Sequence, residues 1–166
     1  WTKDQVLTIM KDSRVGTYAI VGLMLLLSIK VALLVELSSR YHSYIFLIIL
    51  LNGHTLSRMM AATVIFTHKY VREDELSKAK PVAKSYSKTN ALMVFLFGVI
   101  PTIAIVYLTG HWWWSLIPLP LYLVKIILSD FFKRKIGGYT GDCLGATQQL
   151  VEVAYYFVIV VLWKFI

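Results

Sequence analysis

The chain has 166 residues, 58% of them hydrophobic, with a mean hydropathy of +0.67, which is more apolar than an ordinary soluble domain and excludes that class. Its single cysteine, Cys143, excludes an internal disulfide, and with no second Cys or His at ligand spacing it also argues against structural zinc. The net charge of +8, from 17 basic and 9 acidic side chains, points either to an anionic partner or to topology signals around membrane spans. No nucleic-acid partner is expected.

A lipid bilayer is crossed by about 20 mostly apolar residues in helical form. Five segments meet that length, at about residues 17–38, 43–66, 89–109, 112–129 and 144–166. The predicted fold class is therefore all-α, a polytopic membrane helix bundle treated as a single membrane domain over 1–166. Residues 1–16 form a polar N-terminal segment, WTKDQVLTIMKDSRVG, in which Val6, Ile9 and Met10 have the spacing of a surface helix. The chain opens on Trp1 with no signal-peptide pattern, and it is expected to be a piece of a longer protein.

In chain order, the first chemistry-bearing element is KDSRVGT. Asp12 and Arg14 there are read either as a cap ahead of the first span, with Ser13 or Asp12 as the capping residue, or as part of a site. Lys30 lies inside the first span, about eight residues or roughly 12 Å from its outer end, a long reach for snorkelling, so an interior-facing role is expected. Asn52, His54, Ser57 and Arg58 make the second span partly polar. A polar pocket between helices is inferred from them. The connection HKYVREDELSKAKPVAKSYSK reads most simply as a solvated, headgroup-attracted segment, with capture of a phosphorylated substrate by Lys78, Lys80 and Lys84 as the sharper alternative. The run Trp112, Trp113, Trp114 reads as an interface anchor.

The last connection, KRKIGGYTGDCLGA, carries Gly137, Gly138, Gly141 and Gly145 around Asp142. Such a corner lets a ligand or a neighbouring helix come close, and the following helix offers unpaired amides suited to a phosphate. Asp142 reads on local grounds as a helix cap, with Mg²⁺ coordination as the alternative. Glu152, several residues into the last span, is costly there unless paired or facing water, and pairing with a basic residue is as good a reading as function.

Counting Lys and Arg in the connections gives twelve on one side, among them Lys3, Lys11, Arg14, Lys80, Lys84 and Lys133, against Arg40 and Lys164 on the other. The positive-inside rule then puts KDSR, the basic loop and the glycine corner together on the cytoplasmic face. No P-loop, HExxH, nucleophile elbow or dinucleotide fingerprint occurs. Metal-assisted phosphate transfer, substrate transport and a non-catalytic membrane subunit all remain open.

IMKDSRVGTYA, RMMA, YVREDELSKAKPVAKS and KRKIGGYTGDCLGATQQLVEVAYY, in this order from Val6 to about Tyr156, resemble the cobalamin synthase family, the adenosylcobinamide-GDP ribazoletransferases of vitamin B12 biosynthesis. The resemblance implies an enzyme of the bacterial or archaeal cytoplasmic (inner) membrane with its active face cytoplasmic. Its substrates would be adenosylcobinamide-GDP and α-ribazole or its 5′-phosphate, GMP would be released, Mg²⁺ would be the cofactor, and a homo-oligomer is left open. It further implies catalytic roles for Asp142, Asp12 and Arg14, and substrate binding through Lys80 and Lys84. Arg58, Lys30, Gly138 and Gly141 complete the expected substrate-binding set, and Asp142 and Asp12 the expected metal ligands. The family's acidic stretch of the type DGxADxxDG, expected upstream of KDSR, does not occur in this sequence, so further metal ligands are expected before Trp1. A CDP-alcohol-type phosphotransferase acting on lipid and a transporter subunit are the alternatives.

Overall fold

The computed structural model describes residues 2–12, 14–71 and 87–162. Helix α1, Lys3–Lys11, is opened by a capping box in which the Gln5 N–H donates to Thr2 Oγ1 and the Thr2 N–H donates to Gln5 Oε1 at 2.9 Å. Five longer helices follow: α2 (Thr17–Arg40), α3 (Ser43–Thr67), α4 (Lys88–Thr109), α5 (Pro118–Ile136) and α6 (Gly141–Leu162). A 3₁₀ turn, Trp112–Leu116, leads into α5. Each long helix belongs to a stretch long and apolar enough to cross a membrane.

The predicted fourth span, 112–129, is thus a 3₁₀ turn followed by a helix that continues to Ile136. Pro118 begins α5 because its fixed φ and missing N–H suit a first turn. Lys133, Arg134 and Lys135 lie in the last turn of α5, where cations complement the negative end of the helix dipole. The last span begins earlier than expected, at Gly141.

Helix α3 is the centre of the bundle, packed mainly against α4 and α6 and also against α5, while α2 leans chiefly on α6. Gly53 explains the close approach of α3 to α6: a Cβ there would lie 2.7 Å from the Tyr155 ring. Leu37, Ile49, Leu56, Ile105, Leu121, Tyr155 and Ile159 are buried in the main core. The outward faces of α2 and α4, with Leu25, Val31, Phe95 and Ile103, expose apolar side chains suited to lipid.

A smaller core caps one end. Val64, Ile136, Tyr139 and Cys143 are buried there, and Val6, Leu7 and Met10 of α1 pack onto them, while Ile9 stays exposed. Basic residues crowd this end, and tyrosine and tryptophan mark the other. Of the three consecutive tryptophans only Trp112 is largely exposed; Trp114 is fully buried and stacks on Trp113 at 4.5 Å between ring centroids. The exposed Trp112 remains available as an anchor, whereas Trp114 is part of the core.

Candidate functional site at the glycine corner

Helix α5 stops at Gly137, whose φ of 79° is a left-handed conformation that glycine adopts without a side-chain clash. The Gly137 N–H donates to the Lys133 carbonyl at 2.9 Å. The next residues run beside the segment leaving α3: the Tyr139 N–H donates to the Lys69 carbonyl at 3.0 Å, and the Val71 N–H donates to the Tyr139 carbonyl at 3.1 Å. Gly138 makes this pairing possible, because a Cβ there would collide with the Lys69 carbonyl and with Val71. Its missing side chain thus makes room for backbone of the same chain. Gly141, half-buried, is the first residue of α6.

Asp142 is not the cap of α6. The Cys143 N–H donates to Thr140 Oγ1 at 3.4 Å, and the Leu144 N–H donates to the Thr140 carbonyl, so Thr140 caps and Asp142 falls in the first turn. Asp142 is exposed. At that position a carboxylate is favoured by the positive end of the helix dipole and by the amides of the opening turn.

Asp12 likewise differs from its local reading. It ends α1, its N–H donating to the Ile9 carbonyl, and Gly16 precedes α2 instead. Its carboxylate accepts from the Arg14 N–H at 3.0 Å, from Arg14 Nε at 3.0 Å and from Arg14 Nη2 at 2.8 Å. These bonds from the Arg14 guanidinium and amide hold the Asp12 carboxyl below its usual range, and Asp12 in turn raises Arg14. Because α1 is docked on the smaller core, the Asp12–Arg14 pair and Asp142 lie at the same end of the bundle. Among the described residues no three His, Cys, Asp or Glu side chains cluster as a metal site.

The cations inside the membrane divide. Lys30 faces inward: its Nζ lies 3.1 Å from Glu152 Oε2 and donates to Gln149 Oε1 at 3.3 Å. Tyr156 completes the group by donating to Glu152 Oε1 at 3.0 Å. The expected polar pocket on α3 is not formed as one unit. Asn52 and Ser57 are buried, Asn52 accepting from Thr102 Oγ1 at 2.9 Å, whereas His54 and Arg58 are exposed. Residues 52 and 58 are about 120° apart around the helix, which lets Arg58 reach the outer face while Asn52 is buried. Arg58 instead edges a lateral cleft of about 430 Å³ between α3, α4 and α6, with Phe97, Leu144 and Gln148. Lys80 and Lys84 lie outside the described residues.

Two residues escaped the sequence reading. Thr140 was passed over for the more obvious Asp142. Lys125, a third cation within the spans in PLYLVKIIL, is 3% exposed and donates to Thr67 Oγ1 at 3.4 Å. The signal was available: Lys125 is one of only three cations left within the spans once those of the connections are counted.

A bundle of membrane-length helices with Asp12, Arg14, Asp142 and the glycine-built start of α6 at one end defines a polytopic membrane protein. A family model described as cobalamin-5-phosphate synthase matches residues 1–160, and the chain belongs to that family. It is similar to the adenosylcobinamide-GDP ribazoletransferase of Shewanella frigidimarina, 43% identical over 159 residues that cover 96% of this chain and 59% of that protein. The protein of the same name from Shewanella amazonensis is 45% identical over 163 residues, covering 98% of this chain and 61% of the relative. The chain spans about 60% of the length of the curated relatives it matches. No solved structure matches it.

Proposed function

We propose that this chain forms part of an adenosylcobinamide-GDP ribazoletransferase, which joins adenosylcobinamide-GDP to α-ribazole or its 5′-phosphate and releases GMP. The observation that carries this reading is the identity to proteins of that name along nearly the whole chain, in a fold that packs Val6, Leu7 and Met10 of α1 onto the core formed by Tyr139 and Cys143 of the glycine corner. The chemistry is a displacement at phosphorus: a ribose hydroxyl oxygen of the ribazole forms the new P–O bond, its proton is lost, and the P–O bond to GMP breaks. Transfers of this kind depend mainly on positioning and on neutralising phosphate charge.

The described residues do not by themselves compose a Mg²⁺ site, since Asp12 is already engaged by Arg14 and no acidic cluster forms. Mg²⁺ often takes one or two carboxylates together with substrate phosphates, and Asp142, in the first turn of α6, is the residue proposed to contribute one. Bound there, the ion would neutralise phosphate oxygens. This chain's own contributions are the amides opening α6, which receive an anion, and the guanidinium of Arg14, held in place by Asp12. By the positive-inside rule the basic end faces the cytoplasm, across the inner membrane. The transporter reading loses its motive, because Lys30 is neutralised by Glu152 and because His54 and Arg58 face outward from α3.

The test is Asp142→Asn in the complete protein. Cobalamin formation should fall by at least about a hundredfold while the amount of folded protein in the membrane is unchanged. Full activity in that variant refutes the role of Asp142. CMP release with a lipid acceptor, in place of GMP release, refutes the substrate assignment.

A further inference from the structure

Lys125 is a buried amine with no ion-pair partner among the described residues, Asp130 acting on it only from a distance. The residue is 3% exposed. Among the described residues it has no ion-pair partner, in contrast to Lys30. Its only hydrogen bond among the described residues is to Thr67 Oγ1 at 3.4 Å, with the Tyr122 ring 5.4 Å away. An ammonium has three donors, and removing it from water with one neutral oxygen as partner is costly.

The groups in contact with Lys125 are hydrogen-bonding atoms rather than carboxylates. Thr67 Oγ1 donates to the Thr63 carbonyl at 2.8 Å, accepts from the Lys125 ammonium at 3.4 Å and lies 2.8 Å from His68 Nδ1, in a hydrogen bond whose direction depends on the imidazole tautomer. Burial lowers the His68 pKa, and Lys125 and Lys133 lower it further, with Asp130 partly opposing. Asp130 is exposed and forms no ion pair with Lys125. Thr67 is exposed and His68 half-buried, so the hydroxyl that holds Lys125 belongs to a residue at the surface. His68 is followed directly by Lys69, whose carbonyl is paired to the glycine corner three residues before Asp142. These residues therefore belong to the basic end.

We propose that Lys125, Thr67 and His68 form a seat for a phosphate group, supplied by a soluble phosphate compound or by a lipid headgroup. An anion there supplies the missing counter-charge and accepts the free ammonium hydrogens. It also explains why a lysine is retained among apolar neighbours in α5, since ionisable groups at such depth are kept for a partner. The seat is separate from Asp142 and from the Asp12–Arg14 pair, and it involves none of the residues given catalytic roles above.

The test uses the complete protein with ¹⁵N-labelled histidine in nanodiscs, the His68 signal being assigned by its loss in His68→Asn. In discs of phosphatidylcholine alone, inorganic phosphate is titrated in at constant pH. In a second arm, discs of equal phosphatidylcholine and phosphatidylglycerol receive no phosphate. A saturable His68 shift in the first arm identifies a soluble phosphate ligand, and a shift in the second arm alone identifies a headgroup; either supports the seat. Lys125→Gln should weaken the response about tenfold, as expected for one charge-assisted hydrogen bond, and Lys125→Arg should preserve it. A wild-type His68 signal unmoved in both arms overturns the proposal, as does an undiminished response in a folded Lys125→Gln protein. Neither arm measures cobalamin formation, so the transferase reading stands or falls separately.

Discussion

The clusters around half-buried Lys30 and buried Lys125 contrast sharply. Around Lys30, deep between α2 and α6, every strong group is answered within the cluster: ammonium by carboxylate, carboxylate by Tyr156, and Gln149 by the same lysine. Around Lys125, near the basic end, the ammonium has one hydroxyl among the described residues, and the neighbouring His68 Nδ1 shares the same oxygen. A closed network holds helices together and offers nothing to a ligand, whereas an open one retains binding capacity at a cost in stability. Burial alone does not reveal which kind a membrane lysine is; its partners do.

The contrast is broken most severely by leaving one member of the closed cluster without its partner. Glu152→Leu strands the Lys30 ammonium between helices and should lower stability by about 3 kcal/mol, read as a lower thermal midpoint in detergent. The double variant Lys30→Met, Glu152→Leu should recover most of the loss, because it removes both charges. If the single variant melts like the wild type, the pair has no role in joining α2 to α6.

At the open end, Gly138→Ala should separate the glycine corner from the segment after α3. The added Cβ meets the Lys69 carbonyl, and a cost of roughly 2 kcal/mol is expected for such overpacking. Faster hydrogen exchange at the Tyr139 and Val71 amides, with α2 and α4 unaffected, is the diagnostic result. The smallest effect concerns Asp12. Its folded pKa is depressed by Arg14, so the pair is complete above the ordinary carboxylate range and is lost only as pH falls through the lowered value. From about pH 5 to 8 the pair should therefore not change. Arg14→Gln should move the Asp12 carboxyl titration upward, seen by ¹³C NMR, with no measurable change in melting because the site is exposed.

Much of the architecture was legible beforehand. Spans declare themselves by apolar length, and all five recur as helices. Val6 and Met10 marked the packing face of α1 correctly. The reading failed where two residue types compete for one local role: Thr140 and Asp142 both suit a helix start, and only the backbone geometry shows that Thr140 holds the cap. It failed again on α3, where a count of polar residues merged Asn52 with Arg58 although they lie on different faces. Lys125 went unnoticed because one cation in an apolar run has no periodicity to mark it.

By itself the sequence determined that the chain crosses a membrane, which connections are basic, and which family it belongs to, because apolar length, charge bias and ordered motifs are properties of residues near one another in the chain. Which lysine is neutralised and which is not was decided by tertiary structure. Glu152 lies 122 positions from Lys30 and Thr67 lies 58 from Lys125, and no local pattern reports on contacts across such separations. Only the packing of α2 against α6, and of α5 against the end of α3, decides them.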